Sequence, residues 1–293
     1  GDVASQAHRR VEMLERREKA GREMTKQMRA QLAEARRQRS VALYHSGWSG
    51  YYLALMTGNR NLALDALRDL AWILNSGAGR LPDATRVPEQ LLEYEHVADA
   101  ALAASLCHAL RGSDAEAASW LLLIERSGVA PESIRDRLML TRIAAYGSTR
   151  RWADLDWAIR QMKRSGDGEL LTVSEARLLA VVTLEAALDR GTAERDRLLS
   201  VLTQVAFGDL IRAGEVGQVV DLVDRYGTTP IGSRGFIVRY VQGLRAFDSA
   251  RELHAAIDDQ GDAAESTSDP EIVAAYSEAA RLLLDATNAD DAS

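Results

Sequence analysis

The sequence predicts an all-α protein, an α-α superhelix of stacked helical hairpins preceded by a long basic helix. Three observations lead to this prediction. Only five prolines occur in 293 residues, and alanine, leucine, arginine and glutamate are abundant, which favours helices. The three phenylalanines and the scarcity of runs rich in valine and isoleucine disfavour an extensive sheet. Glycines recur on either side of short helical segments, as expected where helices end.

The bulk composition fits a soluble chain with a sizeable core. It is 46% hydrophobic and 27% charged, and no apolar run approaches the ~20 residues that span a bilayer. The single cysteine, Cys107, excludes an internal disulfide, and its apolar surroundings predict a buried, unreactive thiol. The chain begins at Gly1 rather than methionine, which leaves the compartment open but favours an exported protein, such as one of the bacterial periplasm.

Residues 1–40 are predicted to form a charged helical arm with coiled-coil character. Eleven basic residues and five glutamates give residues 8–39 a net charge of +6, whereas the whole chain carries −7 and the remainder therefore −13. Three of these glutamates precede a basic residue by four positions, a spacing that stabilises a helix surface. The apolar residues of the arm form a thin seam: Val11, Leu14, Met24, Met28, Leu32 and Ala35.

The expected role of this arm is a solvated helix that packs its seam on the body or on another copy. Docking to an acidic partner or to an anionic membrane surface is an alternative. Nucleic acid is disfavoured because residues 8–39 contain no aromatic side chain and the rest of the chain is acidic.

Residues 41–268 are predicted to form the solenoid, whose unit is a helix, a glycine turn, a second helix and a break. Gly112 and Gly147 are 35 residues apart, a period typical of helical hairpins, whereas the other intervals are longer and require insertions or a degenerate copy around Gly191. The glycines predicted to open second helices are Gly58, Gly112, Gly147 and Gly214, and those predicted to close them are Gly77, Gly128, Gly166 and Gly227.

This pattern resembles the tetratricopeptide-repeat family over residues ~42–250. In that family a small residue follows the turn glycine by five positions and a large apolar residue follows it by nine. The matching pairs are Ala63 and Leu67, Ala117 and Leu121, Val219 and Val223, and, with a slip of one residue, Ala153 and Trp157; Pro131 and Pro230 lie close to the position of the family's proline. The resemblance implies a superhelical groove, lined by the first helix of each hairpin, that binds a peptide or a partner helix.

Local signals agree with these boundaries. Ser113 with Glu116 and Thr172 with Glu175 have the spacing of capping boxes. Asp269 followed by Pro270 predicts the start of a last helix, so residues 269–293 would form a capping helix and an acidic tail. Trp152 shares an apolar helical stripe with Leu155, Ile159 and Met162, whereas Trp157 points roughly 140° away. Both tryptophans are predicted to lie in the core of a stacked array.

The sequence offers little for catalysis, so we expect neither an enzyme nor a cofactor. The five histidines have no metal-ligand spacing relative to one another. The segment "DDQGD" at 258–262 has the spacing of magnesium-binding carboxylates in all-helical prenyl-transfer enzymes, but Gly261 interrupts it and no second motif follows. A magnesium-dependent enzyme using Asp258 and Asp259 therefore remains a remote alternative.

The predicted function is a scaffold or adaptor that binds another protein. The first hairpin carries an aromatic stripe that includes Tyr44, for which core packing is the competing role. Arginines of later first helices could clamp carboxylates if they face a groove. The candidate binding residues are Trp48, Tyr51, Tyr52, Arg142, Tyr146, Arg177 and Arg239. The alternative is a structural subunit of a homo-oligomer or larger complex, docked through residues 8–39.

Overall fold

The computed structural model describes residues 2–20, 25–74, 80–165, 169–227, 236–258 and 269–287. These residues form helices without a strand, which confirms the all-α class. Most connections are short, but the one between the third and fourth α-helices is longer and contains two 3-10 helices, Ala84–Arg86 and Glu89–Glu93. The helices are α1 (Asp2–Lys19), α2 (Lys26–Thr57), α3 (Arg60–Ile73), α4 (Glu95–Leu110), α5 (Asp114–Ser127), α6 (Glu132–Arg135), α7 (Leu138–Ser148), α8 (Trp152–Ser165), α9 (Val173–Leu188), α10 (Ala193–Arg212), α11 (Val216–Tyr226), α12 (Phe236–Asp258) and α13 (Pro270–Thr287).

The chain divides into two compact units, Gly1–Arg151 and Trp152–Ser293. In the first unit α4 is the central helix, and α2, α3, α5 and α7 all pack against it. Every residue from Val97 to Ala109 is buried, because alanines on most sides of α4 let its neighbours approach closely. Cys107 lies on this helix, fully buried as predicted, and burial raises the pKa of its thiol to about 12.

The predicted single basic helix is wrong, because the arm forms a helical hairpin of α1 and α2. Thr25 caps the second helix by accepting a hydrogen bond from the Met28 amide at 3.2 Å. The pairing buries the seam, which a lone helix would leave in water. The buried seam residues are Val11, Leu14, Leu32 and Ala35, with Met28 packed against them. The second helix continues without a break past residue 40, where the arm was predicted to end.

The contact between α2 and α3 depends on small residues. A Cβ atom added to Gly47 would lie 2.7 Å from the Cγ and Cδ2 atoms of Leu70, and one added to Gly50 would lie 3.0 Å from the Cβ of Ala66. Gly47 therefore allows the two helices to approach more closely than any other residue would.

We expect Gly47→Ala to lower the free energy of unfolding of the first unit by about 1 kcal/mol. Moving Leu70 to admit the methyl group costs about 2 kcal/mol, and the helix preference of alanine over glycine offsets about 1 kcal/mol of this cost. Hydrogen exchange of the α3 amides measures this change. The control is Gly208→Ala in α10, where a Cβ meets no atom within 4 Å. That substitution should raise the protection of α10 amides, since alanine favours helices over glycine by about 1 kcal/mol.

Most of the predicted turn glycines have a positive φ angle, which few other residues adopt without strain. Gly58, Gly112, Gly128, Gly214 and Gly227 all have positive φ angles, and Gly191 lies in the connection between α9 and α10. Gly77 and Gly166 lie outside the described residues.

The prediction for Gly147 is wrong. Helix α7 continues through Gly147 to Ser148, and Arg150 adopts the left-handed conformation instead, with φ of 59°. The Arg151 amide then donates to the Tyr146 carbonyl at 2.9 Å, which closes the turn before α8 begins at Trp152. A helix tolerates an internal glycine at modest cost, so this glycine did not mark the helix end.

In the second unit α9 and α10 form a helix pair, joined in its interior by a 2.9 Å hydrogen bond from the Thr203 hydroxyl to the Thr183 hydroxyl. A buried carboxylate, Asp209, accepts hydrogen bonds from the Lys163 ammonium at 2.7 and 2.9 Å and from the Leu171 amide at 3.0 Å. These contacts hold the end of α8 and the residue just before the Thr172 cap of α9 against α10. The helices α12 and α13 pack against each other, and α13 begins at Pro270 as predicted.

Of the other local predictions, some are confirmed and some are wrong. Thr172 and Glu175 form the predicted capping box, whereas the Ser113 side chain makes no capping hydrogen bond. Ser113 instead sits in the turn, and its amide donates to the His108 carbonyl at 2.9 Å. Trp152 is buried as predicted, but Trp157 is 62% exposed, so the core prediction for it is wrong. The buried positions of α8 lie along the Trp152 side of the helix, and the opposite side faces solvent.

Candidate docking surface

One side of α2 carries a row of apolar and aromatic side chains, most of which are exposed. At 100° per residue these positions fall within about 100° of one another around the helix. We call this surface the α2 face: Val41, His45, Trp48, Tyr52, Leu55 and Met56. Met56 is 82% exposed, and Val41, Tyr52 and Leu55 are each more than half exposed. An exposed apolar row of this kind is typical of a surface that another molecule covers.

The α2 face continues into a groove between α1 and the middle of α2, from Glu34 to Ser49. This groove has a volume of about 810 Å³ and is open to solvent. Ala7 of α1 and Val41 and Ala42 of α2 give it an apolar floor, and Arg10 and Arg37 border it from the two helices. The groove therefore combines apolar surface with positive charge.

The two bordering arginines are free to bind an anion. Arg10 and Arg37 are exposed and form no ion pair or hydrogen bond with any residue that the structure describes. The adjacent Arg36 differs, since its guanidinium pairs with Glu15 of α1 at 3.0 Å. Glu34 is the acidic residue that lines the groove, and it accepts a hydrogen bond from the Gln38 amide at 3.0 Å.

A buried polar cluster fixes the aromatic part of the α2 face. The Asp99 carboxylate on α4 accepts hydrogen bonds from the Tyr44 hydroxyl, from the Arg137 guanidinium and, at 2.7 Å, from the Trp48 indole N–H. Burial, with the hydrogen bond to Asp99, raises the pKa of Tyr44 to about 12, so its hydroxyl stays protonated and donates. The Arg137 guanidinium also lies over the Trp48 ring, 5.6 Å from its centroid.

The aromatic rings of this region contact one another. The Tyr52 ring stacks on Trp48 with centroids 5.7 Å apart, and Tyr51 meets Trp48 edge to face at 5.8 Å. Tyr51 is buried and Tyr52 is exposed, so the first supports the second. A partner that packs on Tyr52 would therefore meet a ring held in place from behind.

The structure brings together only three of the seven predicted binding residues: Trp48, Tyr51 and Tyr52. Arg142 and Tyr146 lie on α7 and are both buried. The Arg142 guanidinium pairs with Glu125 at 2.9 Å, and Tyr146 is covered by the Arg151 guanidinium at 5.0 Å from its ring centroid. In the second unit Arg177 is exposed on α9. The Arg239 guanidinium on α12 donates to the Asp285 carbonyl at 3.3 Å.

Sequence reasoning missed Asp99 and the pair formed by Arg10 and Arg37. A signal for Asp99 was present, because it is the one carboxylate in the apolar run from Val97 to Leu110. A carboxylate in such a run requires buried donors. Nothing in the sequence distinguished Arg10 and Arg37 from the other basic residues of the arm, because only the packing of α1 on α2 selects them.

Among the residues with described positions, no group of three His, Cys, Asp or Glu side chains could hold a metal ion. Most of the "DDQGD" segment lies outside that part of the chain, which includes only Asp258, at the end of α12.

None of the helices searched is long and apolar enough to cross a membrane. Comparison with protein families, with curated proteins and with solved structures found no match to this chain.

Proposed function

We propose that this protein is an interaction module that binds a peptide or a helix of another protein on the α2 face. The observation that carries the proposal is the set of exposed apolar side chains of the α2 face, namely Val41, Tyr52, Leu55 and Met56. The partly exposed Trp48 lies among them, and the Asp99 cluster holds its indole N–H from behind. Recognition of an amphipathic helix uses such a surface, because apolar anchors at helical spacing need an apolar track to pack on.

We also propose that the hairpins stack as a superhelix similar to tetratricopeptide repeats. The pairs α2 with α3 and α4 with α5 each turn at a left-handed glycine, Gly58 and Gly112. Both α2 and α3 pack on α4, so the apolar sides of the first pair are covered by the second. Dependence of each hairpin on its neighbour is the property that defines a helical-repeat array.

The alternative is a structural subunit that assembles through its N-terminal hairpin. The apolar seam of the arm is already buried between α1 and α2, so it is not free to pair with another copy. Assembly would instead use the α2 face, and a second copy would cover Met56 and Tyr52. The mass of the intact protein in solution distinguishes this alternative from binding of a different protein.

The test is an affinity pull-down with the intact chain and with Met56→Glu. A bound partner would bury the negative charge of Glu at this position, and the cost of that burial should reduce capture of the specific partner at least about tenfold. The control is Met13→Glu on α1, where the methionine is 63% exposed and outside the α2 face. Light scattering on the same samples reports assembly. If both variants capture the same proteins as the parent chain and all three are monomeric, the proposed function is wrong.

A further inference from the structure

We propose that the partner is an amphipathic helix with acidic residues at one end and an uninterrupted apolar stripe at the other. This inference rests on the proposed function and adds the chemistry of the partner. Its acidic end would lie in the groove between α1 and α2, against Arg10 and Arg37. Its apolar end would pack on Tyr52, Leu55 and Met56.

The positive charge at the groove is the reason to expect acidic residues at one end of the partner helix. Arg10 and Arg37 come from different helices and border the same apolar floor, yet neither has an acidic partner among the residues described. The neighbouring arginines, by contrast, are engaged: Arg36 pairs with Glu15, and the Arg39 guanidinium lies 4.5 Å from the centroid of the Trp72 ring. Two unpaired guanidiniums beside an apolar floor fit carboxylates carried on a surface that is itself partly apolar.

The uncharged half of the α2 face is the reason to expect an apolar stripe at the other end of the partner helix. From Ser49 to Met56 the α2 face contains no charged side chain, and its exposed members are Tyr52, Leu55 and Met56. The whole track from Glu34 to Met56 is about 33 Å long at 1.5 Å per residue, which matches a partner helix of about 20 residues. Charge and apolar surface are thus segregated along one axis, and the partner should show the same segregation.

Other anionic ligands fit this surface less well. Nucleic acid would meet the −13 charge of the remaining chain, and no aromatic ring lines the basic end of the groove for bases to stack on. An anionic membrane offers headgroups to the arginines and an apolar interior to the other half, but its flat surface cannot enter the groove that Arg10 and Arg37 border. The experiment below measures membrane binding directly, with anionic phospholipid vesicles.

The test uses a displayed library of random peptides about 20 residues long, with the intact protein as bait. The enriched peptides are sequenced, and their binding is measured by fluorescence anisotropy at low and high salt. The variant is Arg10→Ala with Arg37→Ala, and its matched control is Arg126→Ala with Arg135→Ala, which removes two exposed arginines of the same unit outside the groove. Thermal unfolding of both double variants checks that the fold is intact. Anionic phospholipid vesicles are tested in parallel.

We expect enriched peptides with Asp and Glu in one half and apolar residues at helical spacing in the other. Their affinity should fall about tenfold in the groove variant, weaken with salt and remain unchanged in the control. The inference would be overturned if the enriched peptides lacked an acidic half and their affinity fell in Met56→Glu but not in the arginine variant. The proposed function would still stand in that case. Absence of any peptide sensitive to either variant would overturn both. Vesicle binding that depends on Arg10 and Arg37, without peptide enrichment, would identify the partner as lipid and also overturn the inference.

Discussion

Replacing Asp99 with alanine is expected to lower the free energy of unfolding of the first unit by about 4 kcal/mol. The carboxylate is 4% exposed and accepts from Tyr44, Trp48 and Arg137. Its loss leaves the Tyr44 hydroxyl and the Trp48 indole N–H beneath the α2 face without an acceptor, whereas Arg137, 46% exposed, can bind water instead. Hydrogen exchange of the α4 amides measures this change within the first unit, because α4 is buried along most of its length. The same variant should weaken peptide binding, since Trp48 and Tyr52 lose their support.

The control for this prediction is Asp65→Ala on α3. Asp65 pairs with Arg68 at 2.8 Å, but both side chains are mostly exposed, so its loss should change stability by less than about 0.5 kcal/mol. Asp99→Asn retains an acceptor oxygen and should lie between the parent and the alanine variant. Equal protection of α4 in the Asp99 and Asp65 variants would show that the cluster adds nothing to stability.

The second large effect is expected at His108, also on α4. This histidine is buried, and neither of its ring nitrogens has a hydrogen-bond partner in the described structure. Burial is the main cause that lowers its pKa to about 4, against an opposing effect of Glu116 and a smaller lowering by Arg111. Between pH 6.5 and 4 the unfolded chain therefore binds a proton that the folded chain does not.

Stability must fall as the pH drops through this range, since the unfolded state gains the extra proton. From pH 7.5 to 4.5 the loss due to His108 is about 2.5 kcal/mol. His108→Leu removes it, so the stability difference between variant and parent, measured by urea unfolding, should grow by that amount in favour of the variant. The control is His96→Gln, an exposed histidine on the same helix. A difference that stays constant across this pH range would contradict the prediction.

The sequence predicted the helices and most of their ends because these depend on local chemistry. Gly58, Gly112, Gly128, Gly214 and Gly227 end helices where predicted, since few other residues adopt positive φ without strain. Gly147 is the exception, because α7 continues through it to Ser148 and Arg150 adopts the positive φ angle of the turn instead. The hairpin of α1 and α2 was not predicted because a single seam is compatible with pairing inside the arm, on the body or with another copy.

The site was predictable only in part for the same reason. The stripe of Trp48, Tyr51 and Tyr52 follows from helical spacing, and the structure brings these residues together. Arg142 was predicted as a candidate clamp, but it is buried against Glu125 of the neighbouring helix. Whether an arginine is paired or free depends on contacts between distant segments, and no spacing within one helix reveals them. This is also why Arg10 and Arg37 could not be separated from the other basic residues.

Because α2 continues without a break through residue 40, the chain cannot be truncated there without disrupting a helix of the first unit. A chain that starts at residue 41 would begin inside a regular helix and leave the first four amides of the remaining segment uncapped. It would also lose the groove lining that comes from α1 and from residues 34–38 of α2, including Arg10 and Arg37. Thr25 already caps a helix start, so a chain beginning there would retain that cap but lose α1 and uncover Leu32 and Ala35. The charged segment is thus an integral part of the first unit rather than a detachable tail.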